Sequence, residues 1–322
     1  MKAEREALPF YNCSPFIISQ LYQTHRNKVL EQLEANNFNK NMLKHVNGFS
    51  KNNYTCGYYQ EDSITNLSKK HLLDCLKVFH LNIESYNKNS TELSFYLKTL
   101  KNKFDISCLT EIRKTTVGII DKDFPEYHIF IDNPTITKGV VAILLRKDKF
   151  ENITELDSKD NFNLKNQCTC NICQIENKWL SFKINNQEVI IGGIYRHPKG
   201  KVEHFNTALD SILKQIKNDT LAIILGDINI NLMDEANIKT NSYINNLFAN
   251  NFIPCITLPT RITDHSATII DHIFIRSPKK LIQNKCSSGN LVTDISDHLP
   301  NFTFLDIKAP SIKNRPFRVN MG

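Results

Sequence analysis

Asn, Asp and Glu recur in this sequence at the far ends of short apolar runs, where a sheet delivers side chains to a rim. Asn82 closes the run from Val78, Glu111 follows Ile106 to Thr110, and Tyr195 closes a run that passes through Gly192 and Gly193. Asp227 and Asn229 follow Leu221 to Gly226, Asp271 interrupts the run from Ile269 to Ile275, and Ser296, Asp297 and His298 precede the last apolar stretch. Carboxylates gathered at one rim repel each other unless a cation or protons compensate them. Oxygen ligands of this sort suit a hard ion such as magnesium, which takes one or two carboxylates and fills its shell with water and substrate phosphate. A histidine beside an aspartate adds either an acid-base group or a hydrogen bond to phosphoryl oxygens as charge builds up. The chemistry indicated is metal-dependent hydrolysis of phosphodiester bonds.

Taken singly, an aspartate after a strand is also what a helix cap or a turn uses. The run Gly226, Asp227, Ile228, Asn229 is more specific, because glycine lets the backbone turn while two polar side chains face one way. Order, spacing and strand context together set these residues apart from ordinary turn residues.

The elements that must position them are short strands alternating with longer helical patterns. Strands are predicted from Val78 to Asn82, Ile106 to Thr110, Gly139 to Leu145, Trp179 to Ile184, Glu188 to Tyr195, Leu221 to Leu225, Ile269 to Ile275 and Phe302 to Ile307. Ser90 is placed to cap a helix carrying Leu93, Leu97 and Leu100 on one face. Helical spacing recurs at Phe205, Leu209, Ile212, Leu213 and Ile216, and a short helix is predicted from Tyr243 to Asn250. This density of mixed elements points to an α/β fold of two packed sheets with helices outside, spanning residues 77–307. Residues 1–76 read as a loosely structured leader with one helix over 14–35, where Ser14 and Pro15 open a partial apolar stripe. Residues 308–322 read as a tail.

A hydrophobic fraction of 41% supports a substantial core, and the net charge of +7 permits a nucleic-acid partner without a basic tail. No apolar run approaches the roughly 20 residues that span a bilayer, and the N-terminus has no secretory pattern, so an intracellular protein is expected, with no membrane partner. Nine cysteines suit reduced thiols. The cluster Cys168, Cys170, Cys173 lacks the fourth ligand of a structural zinc site.

In order, His80 to Glu84, Leu109 to Glu111, Gly193 to Tyr195, Gly226 to Asn229, Ile270 to Ile273 and Ser296 to His298 resemble the endonuclease/exonuclease/phosphatase superfamily over roughly residues 77–307. Ile194 to Pro198, Leu225 to Leu232 and Leu258 to Arg261 are most similar to the apurinic-endonuclease-like domain of LINE-type (non-LTR) retrotransposons. The resemblance implies a four-layer α/β/β/α sandwich, a magnesium ion with manganese as substitute, DNA as partner, no obligatory protein partner and a nuclear location. Residue by residue it implies that Glu111 binds the metal, helped by Glu84. Asp227 would orient and deprotonate the attacking water, Asn229 and Asn82 would hold the phosphate, and Tyr195 would contact it. His298, oriented by Asp271, would stabilise the transition state, and Asp297 would assist the metal or the leaving group. Arg196 and Thr268 would contact the substrate.

Two positions depart from the family pattern: Ile112 follows Glu111 in place of a hydroxyl or aromatic residue, and His197 displaces a proline. Retrotransposon proteins of this kind continue into a reverse transcriptase, which about 15 residues after Ile307 cannot hold, so a truncated copy, a gene fragment and a domesticated endonuclease are all open readings. Two other functions stay open beside the DNA endonuclease. One is a catalytically decayed nucleic-acid-binding remnant, and the other is an enzyme of the same fold acting on another phosphoester.

Overall fold

Alternation along each strand sets the layers of this protein. In the computed structural model, which describes residues 54–71, 75–100, 103–132, 139–156, 162–167, 175–234, 236–263, 265–278 and 286–307, Val78, Ile106, Ile143, Ile191, Ile223, Leu225 and Ile273 share one buried cluster. Their sequence neighbours Phe79, Leu81 and Leu109 enter a second cluster, and Ile190, Ile194, Ile224 and Phe274 a third. A period of two with both faces apolar is what strands buried on both sides require.

The first sheet contains β1 (Tyr54–Tyr59), β2 (Leu76–Asn82), β3 (Ile106–Thr110), β4 (Tyr127–Ile131), β5 (Ala142–Arg146), β14 (Cys286–Leu291) and β15 (Asn301–Leu305). Its order is β1-β14-β15-β2-β3-β5-β4, with β2 parallel to β3 and antiparallel to β15. The second contains β6 (Thr154–Glu155), β7 (Ile175–Ile184), β8 (Gln187–Arg196), β9 (Leu221–Asp227), β10 (Ile253–Pro254) and β13 (Asp271–Arg276) in the order β10-β13-β9-β8-β7-β6. A small ribbon pairs β11 (Arg261–Ile262) with β12 (Ala267–Thr268).

Helices cover the outer faces. On the first sheet, α1 (Glu61–His71), α2 (Tyr86–Thr99) and α3 (Val117–Asp123) bring Ile64, Leu93 and Ile120 onto Phe79, Leu81 and Phe302. On the second, after the short α4 (Leu164–Gln167), α5 (Val202–Leu213) and α6 (Ile238–Ala249) pack Phe205, Leu209 and Tyr243 against Trp179, Ile224 and Phe274. The result is the four-layer α/β/β/α sandwich. Fully burying one such side chain contributes about 1.5–3 kcal/mol, so the shared faces hold the two sheets together.

Several expectations need adjustment. The segment read as a loose leader contains β1 and α1, and β1 extends the first sheet by pairing in parallel with β14. The helix placed at residues 14–35, the tail at 308–322 and the cysteines 168, 170 and 173 lie outside the described residues. Ser90 does not cap α2 but lies inside it. The chain already turns at Glu84, whose φ is 57°, and Tyr86 starts the helix buried, its hydroxyl donating to Asp123 at 2.6 Å. Helix α6 begins before Tyr243, at Ile238, because Asn237 accepts a hydrogen bond from the Lys239 amide and caps it. Among the described residues no helix is long and apolar enough to cross a membrane.

Candidate active site

The strand alternation that fills the space between the sheets also aims the polar residues. Asn82 continues the inward face of Val78 and His80, Asp227 that of Ile223 and Leu225, and Asp271 that of Ile273 and Ile275. Register then aligns them: Asp271 lies opposite Asp227 on antiparallel β13 and β9, and Asp227 lies opposite Tyr195 on parallel β9 and β8. From the facing sheet, Asn82 reaches across. Its Nδ2 donates to Asp227 Oδ2 at 2.8 Å and to Glu111 Oε1 at 3.2 Å. Its Oδ1 accepts from the Glu84 amide at 3.0 Å.

The backbone bends sharply where these strands end. Glu111 and Asn229 both take φ 53°, a left-handed conformation that costs a residue such as Glu roughly 1–2 kcal/mol. Strain of this kind persists where the surroundings over-determine it, which is common at functional sites. Gly226, at φ 147°, has no substitute: a Cβ there would stand 1.8 Å from the Ile194 carbonyl oxygen. Beyond it the Asn229 amide donates to Asp227 Oδ1 at 3.1 Å, and Asn229 Nδ2 donates to the Arg196 carbonyl at 2.9 Å.

His298 Nδ1 lies 2.8 Å from Asp271 Oδ2. The same oxygen accepts from the Thr260 hydroxyl at 2.7 Å, and that hydroxyl in turn accepts from the Asp271 amide at 3.1 Å. Ser296 locks the other flank, its hydroxyl donating to the Asn82 carbonyl at 2.7 Å and accepting from the His298 amide at 3.1 Å. Burial alone lowers the His298 pKa, but the Asp271 carboxylate outweighs it and raises the imidazole to about 9. Asp271 is held below its ordinary value despite burial, by the His298 charge and hydrogen bond. Asp227 moves the other way, raised by burial and then by the Asp271 charge. Tyr195 is also raised, by burial and by the neighbouring Glu111 and Asp227 carboxylates, so its hydroxyl stays protonated and can donate.

Asn82, Glu111, Tyr195, Asp227, Asn229, Asp271 and His298 thus meet at one rim, and ligand atoms of Asp227, Asp271 and His298 all lie within 4.8 Å of one another. The remaining site candidates are placed differently. Arg196 is buried, and its guanidinium donates to the carbonyls of Ile228, His197, Gly200 and Asn229, so it braces the turn after β8 against the turn after β9. Asp297 Oδ2 accepts from Arg261 Nε at 3.0 Å and Nη2 at 2.6 Å. Thr268 lies on β12, where its carbonyl accepts from the Thr260 amide at 2.9 Å. Glu84 pairs with Lys88 at 3.7 Å near the start of α2.

Sequence reasoning assigned no role to Thr260, Arg261 or His80. Thr260 and Arg261 stand in the quoted Leu258–Arg261 neighbourhood, but their partners Asp271 and Asp297 are remote in sequence, and only the pairing of β11 with β12 and the Arg261–His298 bridge bring them in.

No protein-family model matches the sequence, and no curated protein matches it. Solved structures do. The endonuclease domain of TRAS1, a telomere-specific non-LTR retrotransposon, aligns over 73% of this chain and 99% of its own with a TM-score of 0.54 at 14% identity. An endonuclease/exonuclease/phosphatase family protein from Leptotrichia buccalis aligns over 72% and 100%, TM-score 0.54, 14% identity. D. rerio TDP2 complexed with single strand DNA product aligns over 71% and 98%, TM-score 0.52, 16% identity. The chain has the fold of these proteins.

Proposed function

We propose that this chain is a magnesium-dependent phosphodiesterase that nicks DNA by water attack, in the manner implied by its resemblance to LINE-type endonucleases. The observation that carries the reading is the bridge from Asn82 to both Glu111 and Asp227 beside the His298–Asp271 pair. It brings an acid, a base and a cationic donor from both sheets to one rim. The fold shared with a retrotransposon endonuclease domain and with a TDP2 bound to a DNA product supports the substrate class.

A divalent cation fits the donor set. Three carboxylates, Glu111, Asp227 and Asp271, crowd together, and Asp227, raised first by burial and then by the Asp271 and Glu111 charges, sits in negative charge that a cation would relieve. Glu111 is the ligand of choice, since its side chain is 20% exposed and its Oε1 is fixed by Asn82. Glu84, whose amide binds Asn82 while its carboxylate pairs with Lys88, is the second candidate. When bound, magnesium supplies charge neutralisation at the phosphoryl oxygens, with manganese as a substitute.

The chain's own residues then divide the work. Asp227, held by Asn82 and the Asn229 amide, orients a water and takes its proton. His298, kept cationic by Asp271, donates toward the phosphoryl oxygens as charge develops there. Tyr195, whose hydroxyl stays protonated beside Glu111, offers a hydrogen bond to the same group. Asn82 spends both amide hydrogens on carboxylates, so it acts by spacing Glu111 from Asp227. Asp297 aims Arg261 at the substrate's backbone phosphates.

The substrate class is tested by incubating the protein with supercoiled plasmid and, in parallel, with a phosphoinositide, each with and without magnesium. Magnesium-dependent relaxation of the plasmid with the phosphoinositide untouched is the result expected. Phosphate release from the lipid alone would move the chain to another branch of chemistry on the same fold.

A further inference from the structure

A buried run of side-chain hydrogen bonds passes behind the site and ends at Asp271. It begins on backbone carbonyls, whose polarity is fixed: Asn290 Nδ2 donates to Leu258 O at 3.2 Å and to Pro259 O at 2.8 Å. That orientation leaves Asn290 Oδ1 to accept from Asn301 Nδ2 at 2.8 Å, and Asn301 Nδ2 donates as well to Leu299 O at 3.2 Å. Asn301 Oδ1 therefore faces His80 Nδ1, 3.1 Å away, and an amide oxygen only accepts. The hydrogen must sit on His80 Nδ1. The other ring nitrogen, Nε2, stands 3.2 Å from the Thr110 hydroxyl, which can donate to a bare nitrogen. His80 has no exposed surface, and such burial favours the neutral ring.

The same Nδ1 lies 3.9 Å from Oδ1 of Asp271. That oxygen is buried with no hydrogen-bond partner among the described residues, while its twin Oδ2 takes both Thr260 and His298. A buried carboxylate oxygen lacking a donor is costly, and the positive end of an N–H dipole close beside it offsets part of that cost.

We propose that His80 is a positioning residue of the active site, fixed as the neutral Nδ1–H tautomer by Asn301 and Thr110, whose N–H, donated to Asn301, keeps its positive dipole end 3.9 Å from Asp271 Oδ1 and so orients the carboxylate for His298. His80 acts through Asp271 and does not touch the substrate. It links β2, β3 and β15 of one sheet to β13 of the other at the point where the catalytic pair is held. An imidazolium here would compete with His298 for the same carboxylate, and an apolar side chain would leave Oδ1 without its dipole.

The kinetic consequence rests on the phosphodiesterase reading, but the tautomer does not, so the two can fail separately. The test is nitrogen NMR of the full chain labelled in its histidine rings, with the His80 signals identified by their loss in His80→Asn. A protonated Nδ1 and a bare Nε2 are expected, and an Nε2–H tautomer or an imidazolium would overturn the proposal. In His80→Asn the amide nitrogen takes the place of Nδ1, and in His80→Gln that of Nε2. Turnover within about threefold of the parent for the first, and a loss of about tenfold or more at unchanged KM for the second, is the split expected. Equal losses in both variants, with their folds intact by circular dichroism, would reduce His80 to a packing role and overturn the proposal. If one variant fails to fold, the other identifies the His80 signals, and the tautomer they report in the parent decides. A parent with the expected tautomer but no cleavage of DNA would sink the nuclease reading and leave the hydrogen-bond assignment standing.

Discussion

Asp227 and Asp271 face each other in register on neighbouring strands, and their surroundings drive their proton affinities apart. Asp271 is ionised beside a cationic His298, whereas Asp227 lies above the ordinary carboxylate range. Titratable pairs separated in this way mark out acid and base roles. The rate of DNA cleavage should therefore follow a bell. It rises as Asp227 loses its proton, at a pH above that of an ordinary aspartate, and falls as His298 is deprotonated at about 9. A profile of kcat/KM against pH checks this. A rate that keeps climbing well beyond the His298 pKa would mean that its charge is not used.

The same shift makes a stability prediction with a definite sign. His298 is raised from 6.5 to about 9, so its pairing stabilises the fold fully below about 6.5 and is lost as the pH rises through about 9. The amount is on the order of 3 kcal/mol. Asp271, being depressed, contributes above its usual value of 3.8 and loses that contribution as the pH falls. Thermal unfolding of the parent should weaken through the alkaline range, and Asp271→Asn should flatten that dependence. Parallel curves for the two proteins would contradict the pairing.

His298→Ala should slow cleavage by about 10²–10⁴-fold with little change in DNA binding, the usual scale for losing such a group. Asp271→Asn should be milder, because the imidazole remains, and the double variant should be scarcely worse than His298→Ala. Single-turnover cleavage and binding by the four proteins provide the check. Fully multiplicative defects would mean that the residues work independently.

The Arg261–Asp297 pair is assigned to substrate phosphate contact. Arg261→Ala should raise KM by about tenfold, the scale of a lost charged hydrogen bond, with kcat nearly unchanged. Asp297→Asn should do the same more weakly and leave the magnesium requirement where it was. A steep rise in the magnesium needed by Asp297→Asn would return that aspartate to the metal.

The legible part of this fold was its two-sided core. Strands such as Leu221–Asp227 and Gln187–Arg196 bury both faces and spell nearly continuous apolar runs. Strand β14 gives no apolar run because three of its buried positions are Ser287, Ser288 and Asn290, and the hydrogen bonds that satisfy Ser288 and Asn290 follow no local pattern. The site candidates were legible because strand ends and their order along the chain are local features. The bracing role of Arg196, the Arg261–Asp297 pair and the His80 chain depend on contacts between remote segments, which tertiary structure alone supplies. Arg196, expected at the substrate, is internal because the turns after β8 and β9 each offer its guanidinium two carbonyls.

Under the proposed function, carboxylates at this rim use a divalent cation to cleave phosphodiester bonds. The most direct measurement is nicking of supercoiled plasmid across a magnesium titration by the parent, Glu111→Gln and Asp227→Asn. Glu111→Gln keeps the shape of the side chain but loses the anionic charge a hard cation requires, so nicking should vanish at limiting magnesium. Asp227→Asn should abolish it at every magnesium concentration, since an amide cannot accept the water's proton. Nicking by Glu111→Gln at the parental rate under limiting magnesium, or by Asp227→Asn at saturation, would contradict the account.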